Sequence, residues 1–390
     1  MSGTNKNAFK KPIMVVKPLR PNKEAVFAAF SEVFDSGWFT NMGSQHFLLE
    51  KRIGEYLNCP HVSIFNNGTI ALITALKALA LPLGSEVITT PFTFAATPHS
   101  IAWNGLKPVF ADIDPQTMTL SIAAIERAIT ARTSAIMGVH VYGFPCDVVG
   151  IEKLARQRGL RVIYDGAHAF STEIDGTSIC DWGDISMLSF HSTKLFNTIE
   201  GGALVYKDKE LVRTIYELRN FGIKRIENKE EIKEGIKSGT LIDEVGINGK
   251  MNEFQAAWGL EVLKEVGAEQ ERRGRVAAVY RENLASLDWI SIPEMPKNTS
   301  NSMQYFPIFV ENGEREMLYT KLLAHNVYSR KYFYPLCSDF HCYKNVPSAT
   351  PNNLPVAHAI ADKVLCLPFY GELAENDCAV VRQLCEIIRG

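Results

Sequence analysis

The 390-residue chain has no C-x-x-C pair, no run of 18 apolar residues, no basic stripe and no internal repeat or low-complexity tract. Each absence removes a class of protein. Without cysteines paired at finger-like spacing, a structural zinc module is not expected. The one local candidate, CSDFHC with Cys337, His341 and Cys342, lacks a second ligand pair. The eight cysteines are scattered, as reduced thiols are, rather than set out as a disulfide framework. With no long apolar run, no membrane span is expected. The polar start MSGTNKNAFKKP lacks the apolar core of a signal peptide, so a cytoplasmic location is the expectation. A formal net charge of -2 and a pI of about 6.5 argue against nucleic acid as a partner. NKEEIKEGIK is locally charged and reads as a solvated loop or helix. A dinucleotide-binding oxidoreductase would need G-x-G-x-x-G after its first strand, and none is present.

What remains is an ordinary globular composition, 46% hydrophobic and 22% charged, long enough for two domains. After a polar arm, PNKEAVFAAFSEVFDSG reads as an amphipathic helix closed by Gly37. HVSIF, SEVIT, KPVFADID, AIMGVHVYG, RVIYDGAHA and DISMLSFHS read as short buried strands. Helix-like segments such as SIAAIERAIT and GIEKLARQRG fill the intervals. This alternation predicts crossover connections and a mostly parallel sheet, with the ligand site beyond the carboxyl ends of the strands. That rule gathers Asn66 to Thr69, His140, Asp165 and His191 to Lys194 on one rim. From about residue 261 the texture changes. A long polar helix, EVLKEVGAEQERRGRVAAVYRENLASL, leads into the Pro-spaced strands ISIPE and QYFPIFV, the start of a smaller α+β domain.

Two residues carry the chemistry. Lys194 sits in SFHSTKLFNTIEGGAL among Phe190, His191, Leu195 and Phe196, which is not the texture of a surface. Asp165 ends the apolar run of VIYDGAHAF. Pyridoxal phosphate needs both residue types at one site: a lysine for a Schiff base, and a carboxylate that keeps the ring nitrogen protonated. Each has a plain alternative, a decorative lysine and a loop-capping aspartate. His168 either orients the carboxylate or the ring oxygen, or is structural. Gly68 and Thr69 stand where a strand meets a helix, and free amides there make an anion site. Ser189 is a plausible second phosphate donor. Phe92 or Phe94, in PFTFAAT, offers a ring for stacking, though core packing explains either equally well. Arg219 and Arg330 suit a carboxylate or diphosphate, and Tyr332 and Phe333 suit a sugar or nucleotide pocket. Surface ion pairs and buried aromatics explain those four equally well.

In order and spacing, WFTNMGSQHFLLE, NNGTIAL, PFTFAAT, DGAHAFST, SFHSTK, GINGKMNEFQAAWGL and YSRKYFYPL resemble the DegT/DnrJ/EryC1/StrS sugar aminotransferases over nearly the whole chain. These are pyridoxal phosphate enzymes of fold type I. The resemblance implies an α/β fold. A large cofactor-binding domain with the N-terminal arm would span residues 1–260, and a smaller C-terminal α+β domain residues 261–390. It implies that Lys194 forms the Schiff base, that Asp165 pairs with the pyridine nitrogen and that His168 contacts the cofactor beside it. Gly68, Thr69 and Ser189 would hold phosphate, and Phe94 rather than Phe92 would stack on the ring. Asn248, in G-x-N-x-K-M-N-E, would reach the phosphate of the other subunit, which implies a homodimer with shared active sites.

Relatives with histidine in place of the lysine are dehydratases, so Lys194 implies a transaminase. Ser192 departs from the alanine or proline frequent at its place, outside the Schiff-base chemistry. SFHxTKLFNTIEGG looks like the branch that moves an amino group from L-glutamate to C4 of a nucleotide-linked 4-keto-6-deoxy sugar. Within it the implied reaction turns dTDP-4-dehydro-6-deoxyglucose into dTDP-4-amino-4,6-dideoxyglucose. Amination of a 3-keto or another GDP- or UDP-linked sugar is the alternative within the family. A non-catalytic regulator or scaffold of the same fold is the alternative outside catalysis; such a protein usually loses the lysine or the aspartate.

Overall fold

The computed structural model describes residues 8–224 and 241–390; the charged segment NKEEIKEGIK lies outside them. Its centre is a seven-stranded sheet of β1 (His61–Phe65), β2 (Glu86–Thr89), β3 (Lys107–Phe110), β4 (Thr133–Val139), β5 (Arg161–Asp165), β6 (Ile185–Ser189) and β7 (Gly202–Tyr206). The spatial order is β1-β7-β6-β5-β4-β2-β3. Neighbours are parallel except β7, which runs antiparallel to both β1 and β6. β2 and β7 are buried along their whole length, because helices cover both faces of the sheet. Alternate residues feed two cores. Ile64, Ile88, Ile136 and Leu188 point to one face, and Phe65, Val87, Met137 and Met187 to the other.

The helices begin and end on local chemistry. α1 (Lys23–Ser36) starts where the Asn22 side chain accepts the Ala25 N–H, and it ends at Gly37 in the left-handed region at φ 68°. α2 (Ser44–Leu57) covers one face. α3 (Gly68–Ala78), which follows β1 directly, covers the other. α4 (Ala96–Trp103) follows the turn after β2.

The run 261–287, expected as one helix, is two. α5 (Glu253–Leu263) ends and α6 (Val266–Leu284) begins after a break at Lys264 and Glu265. The break keeps Val262 and Val266 in the core of the large sheet. It also turns Val276, Tyr280 and Leu284 into a second core. That core rests on an antiparallel sheet of β8 (Ile290–Ser291), β9 (Phe306–Val310) and β10 (Val364–Leu367), with β9 in the middle. Pro307 is tolerated in the central strand because β8 pairs only with Phe309 and Val310, so its missing N–H breaks no ladder bond there.

Two pairings cross between the halves of the chain. Ile13–Met14 of the arm runs parallel to Val327–Tyr328, and Thr299–Ser300 pairs with Glu173–Ile174. Among the described residues, no helix is long and apolar enough to cross a membrane.

Candidate active site

Lys194 follows β6 in a loop that closes back on the sheet. The Phe190 N–H donates to the Gly201 carbonyl and the Thr198 N–H to the Phe190 carbonyl, both at 2.9 Å. Phe190 and Phe196 pack edge to face at 4.6 Å, and Phe196 stacks on Phe170 at 4.7 Å. The aromatic texture around the lysine is therefore the floor of the loop. The lysine side chain is 9% exposed, with Nζ 6.0 Å from the centre of the Tyr305 ring. Burial brings its ammonium down to about 8 against the pull of Asp165, and the Arg330 guanidinium pushes the same way as burial.

Asp165 stands at the carboxyl end of β5, buried. Its Oδ2 accepts the Thr97 hydroxyl at 2.7 Å and its Oδ1 the Ala167 N–H at 3.0 Å. Burial pushes the carboxyl above its usual range, while Thr97, Ala167 and the charge on Lys194 oppose the rise. His168 runs near-parallel to Tyr142 and Phe333, the three ring centres about 6 Å from one another, with the Tyr305 ring at its edge 4.9 Å away. Its Nδ1 accepts the Tyr142 N–H at 3.1 Å, so the ring hydrogen resides on Nε2. Burial, aided by Lys194, drives its pKa well below 6.5, and the ring is neutral at physiological pH.

An anion seat lies at the start of α3. The Asn67 side chain accepts the Ile70 N–H at 2.8 Å and its carbonyl the Ala71 N–H at 3.2 Å. The amides of Gly68 and Thr69 are left as the outward donors of the first turn. Ser189 ends β6 directly opposite: a Cβ placed on Gly68 would come within 3.5 Å of Ser189 Oγ. Gly202 is glycine for the same closeness, since a Cβ there would sit 2.8 Å from the backbone N and Cα of Gly68.

These groups share one cavity of about 330 Å³, lined by Gly68, Thr69, Phe94, Asp165, His168, Ser189, Lys194, Arg330 and Tyr332 among others. Phe94 is 59% exposed at its wall, while Phe92 is fully buried against Tyr142 and Phe333. Arg330 is exposed at the rim, its guanidinium 5.4 Å from the Tyr332 ring, with no carboxylate paired to it among the described residues. His191 and Glu200 also line the mouth, with Nε2 and Oε1 3.6 Å apart.

Three residues singled out in the sequence do not line this cavity in their own chain. Arg219 is 2% exposed beneath β1, paired with Glu50 at 2.6 Å and donating to the Ile64 carbonyl at 2.8 Å. Its place is that of a packing residue, because Glu50 needs a buried counter-ion. His140 is buried against Tyr164 at 4.7 Å, its Nδ1 accepting the Cys146 N–H. Asn248 is exposed outside the lining of its own chain's cavity, its carbonyl accepting from the Asn66 side chain. Sequence reading missed Thr97, although the run PFTFAAT contains it, and missed Gln304, whose amide bonds the loop on both sides of Lys194. Nothing near Gln304 in the sequence signals the lysine.

A model of the DegT/DnrJ/EryC1/StrS aminotransferase family matches residues 21–385. The chain is 43% identical over 371 residues to a dTDP-4-amino-4,6-dideoxy-D-glucose transaminase of Shigella dysenteriae, covering 94% of this chain and 96% of that one. It superposes with a TM-score of 0.87 on DesI crystallised in the presence of its TDP-sugar product, at 33% identity, covering 98% and 94% of the two chains. NtdA from Bacillus subtilis with bound cofactor PMP gives a TM-score of 0.85 at 28% identity, covering 100% of this chain and 87% of that one.

Proposed function

Because the chain belongs to the DegT/DnrJ/EryC1/StrS aminotransferase family, whose aminotransferases depend on pyridoxal phosphate, we propose that it transfers the amino group of L-glutamate to dTDP-4-dehydro-6-deoxyglucose, giving dTDP-4-amino-4,6-dideoxyglucose. The observation that carries the reading is the gathering of a buried lysine, a buried carboxylate, a neutral histidine and a helix-start anion seat around one cavity. The substrate rests on the Shigella relative and on DesI. Residues 1–260 form the cofactor-binding part in this reading, and residues 261–390 the smaller α+β part.

The donor set fits the cofactor. The Gly68 and Thr69 amides with Ser189 hold a phosphate, Phe94 presents a face to a flat ring, and Asp165 offers an anion without a cation of its own. When bound, pyridoxal phosphate supplies a carbonyl carbon that anchors the amine and a ring that takes up the electron pair left at the substrate carbon. The rest falls to the chain. Lys194 Nζ is the covalent anchor. With its pKa near 8, roughly a tenth of the free amine is uncharged at pH 7, about 300-fold more than for an ordinary lysine. As a free amine, the same nitrogen would serve as the base and acid that takes and returns a proton at the substrate carbon. Asp165, held by Thr97 and Ala167, keeps the ring nitrogen charged. His168 Nε2–H is a donor aimed from a fixed, uncharged ring. Arg330 meets the carboxylate of glutamate or the diphosphate of the sugar nucleotide.

We place the enzyme in the cytoplasm, where its eight free thiols stay reduced. We take it as a homodimer in which Asn248 serves the neighbouring site. Exposed Phe34, Trp38, Phe39 and Phe47 support such an interface, with Phe34 and Phe39 6.4 Å apart.

The test is spectroscopic, then chemical. Glutamate added to protein loaded with pyridoxal phosphate shifts the visible absorbance and releases 2-oxoglutarate. A panel of dTDP-, UDP- and GDP-linked 3- and 4-keto sugars then identifies the acceptor by mass spectrometry and NMR. An absorbance that never moves with glutamate returns the chain to a non-catalytic scaffold. Amination confined to another sugar replaces the substrate and leaves the aminotransferase in place.

A further inference from the structure

We propose that Gln304 is a positioning residue that fixes Lys194 at the cavity floor, joining the reactive amine to the C-terminal part of the chain. Gln304 is 2% exposed. Its Oε1 accepts the Leu195 N–H at 2.7 Å, and its Nε2 donates to the Thr193 carbonyl at 2.9 Å. One amide thus satisfies the backbone groups on either side of Lys194, in the manner of a strand pairing with that residue. The loop has no sheet neighbour of its own there, so these two bonds replace a ladder.

The segment bearing Gln304 is itself pinned. The Met303 N–H donates to the Asn301 side chain at 2.7 Å. Its carbonyl accepts Arg273 Nη1 at 2.9 Å, and Arg273 is buried and paired with Glu269 at 2.7 Å, both on α6. Ser302 Oγ donates to the His168 carbonyl at 2.5 Å, and the Tyr305 ring packs on both His168 and the Lys194 amine. Ser302 to Tyr305 therefore holds both loops that carry chemistry. The lysine must bring Nζ to the cofactor carbon and later to a substrate carbon. A loop free to shift by about 1 Å forfeits a large part of that alignment, on the order of 100-fold in rate. An amide suits the role because it offers an acceptor and a donor side by side and does not titrate.

This inference rests on Lys194 being the cofactor anchor. Two variants test it, Gln304→Leu and Gln304→Glu. In cofactor-free protein, hydrogen exchange at the Leu195 amide should rise about tenfold or more in Q304L and stay slow in Q304E, which keeps the acceptor. With pyridoxal phosphate added, formation of the borohydride-stable Lys194 adduct should slow by about tenfold or more in Q304L. A protonated carboxyl copies the amide, whereas a carboxylate faces the Thr193 carbonyl with a lone pair. The capture rate of Q304E relative to the parent should therefore fall as pH rises from 6 to 9, a trend that packing alone does not produce. Parent-like capture and exchange in Q304L, or a flat Q304E ratio, overturns the proposal. Should Q304L fail to fold, the Q304E ratio decides. If the parent itself forms no adduct at Lys194, the cofactor reading has failed, and the exchange arm alone judges whether Gln304 holds the loop.

Discussion

Thr97→Val separates the carboxylate from its main donor while keeping side-chain shape. The Thr97 hydroxyl has one hydrogen, and it goes to Asp165 Oδ2 at 2.7 Å; Thr93 Oγ1, 2.7 Å away, must then donate to Thr97. The substitution removes the inner link of this chain. A hydrogen bond to an ionised acceptor is worth about 1.5–3 kcal/mol. At 1.36 kcal/mol per pH unit, its loss raises the Asp165 pKa by about 1–2 units above a value that burial already holds high. A larger fraction of Asp165 is then protonated and cannot stabilise the charged ring nitrogen. The acid limb of kcat/KM against pH, measured with glutamate, should move up by the same 1–2 units or so. Thr97→Ser keeps the hydroxyl and should leave the limb where the parent has it. An acid limb in T97V that coincides with the parent's would refute the reasoning, because the carboxylate would then owe its charge to something other than Thr97.

Asp165→Asn should abolish turnover yet raise the melting temperature of cofactor-free protein at pH 7. Burial holds the carboxyl above its ordinary 3.8, so ionising it destabilises the fold progressively as pH rises from that value through the raised one. The gain should therefore vanish toward pH 3 in a series of thermal melts. Arg219→Leu should cost about 3–5 kcal/mol in urea unfolding by stranding Glu50, with glutamate KM of the folded protein unchanged. Arg219 holds Glu50 at about 2, so the difference from the parent should narrow as pH falls below 4.5. Arg330→Leu should raise KM for glutamate or for the sugar nucleotide by about 10- to 100-fold, and an unchanged KM for both would remove it from the substrate site. Gly202→Ala puts a Cβ 2.8 Å from the Gly68 backbone. It should weaken pyridoxal phosphate binding about tenfold or more, seen by equilibrium titration, as α3 is pushed out of line.

Much of the site was legible because single residues at the ends of local runs compose it. Asp165 and Ser189 end strands, Gly68 and Thr69 begin a helix, and the strand-end rule alone puts them on one rim. What was illegible depends on partners far along the chain. LRNFG reads the same whether Arg219 faces a substrate or, as here, pairs with Glu50, 169 residues away. The bond from Gln304 to Leu195 spans 109 residues and leaves no local pattern. β7 was not read as a strand at all, and its antiparallel course was illegible besides, because an apolar run such as GALVY encodes burial and not direction. The break within 261–287 was missed because each half keeps a helical pattern and only the two separate cores demand a turn.

Two carboxylates in this fold, Asp165 buried and Glu50 partly so, show why the cavity is a site and not merely a cleft. Burial is the largest influence on both Glu50 and Asp165, and it raises both. Glu50 nevertheless ends at about 2, because the Arg219 guanidinium touches it at 2.6 Å and His46 stands 3.3 Å from the same oxygen. Asp165 ends above its ordinary value. It has neutral donors at Thr97 and Ala167, and no contacting cation among the described residues. An acid kept for stability alone would be finished as Glu50 is. One left with two fixed donors, facing a cavity and short of a positive partner, is finished only by a cation that arrives, and a protonated pyridine nitrogen is such a cation. Lys194 is only a partial partner: burial outweighs the pull of Asp165 on its ammonium and Arg330 adds to burial, so with a pKa of about 8 the amine is far more often neutral, and free to react, than an ordinary lysine.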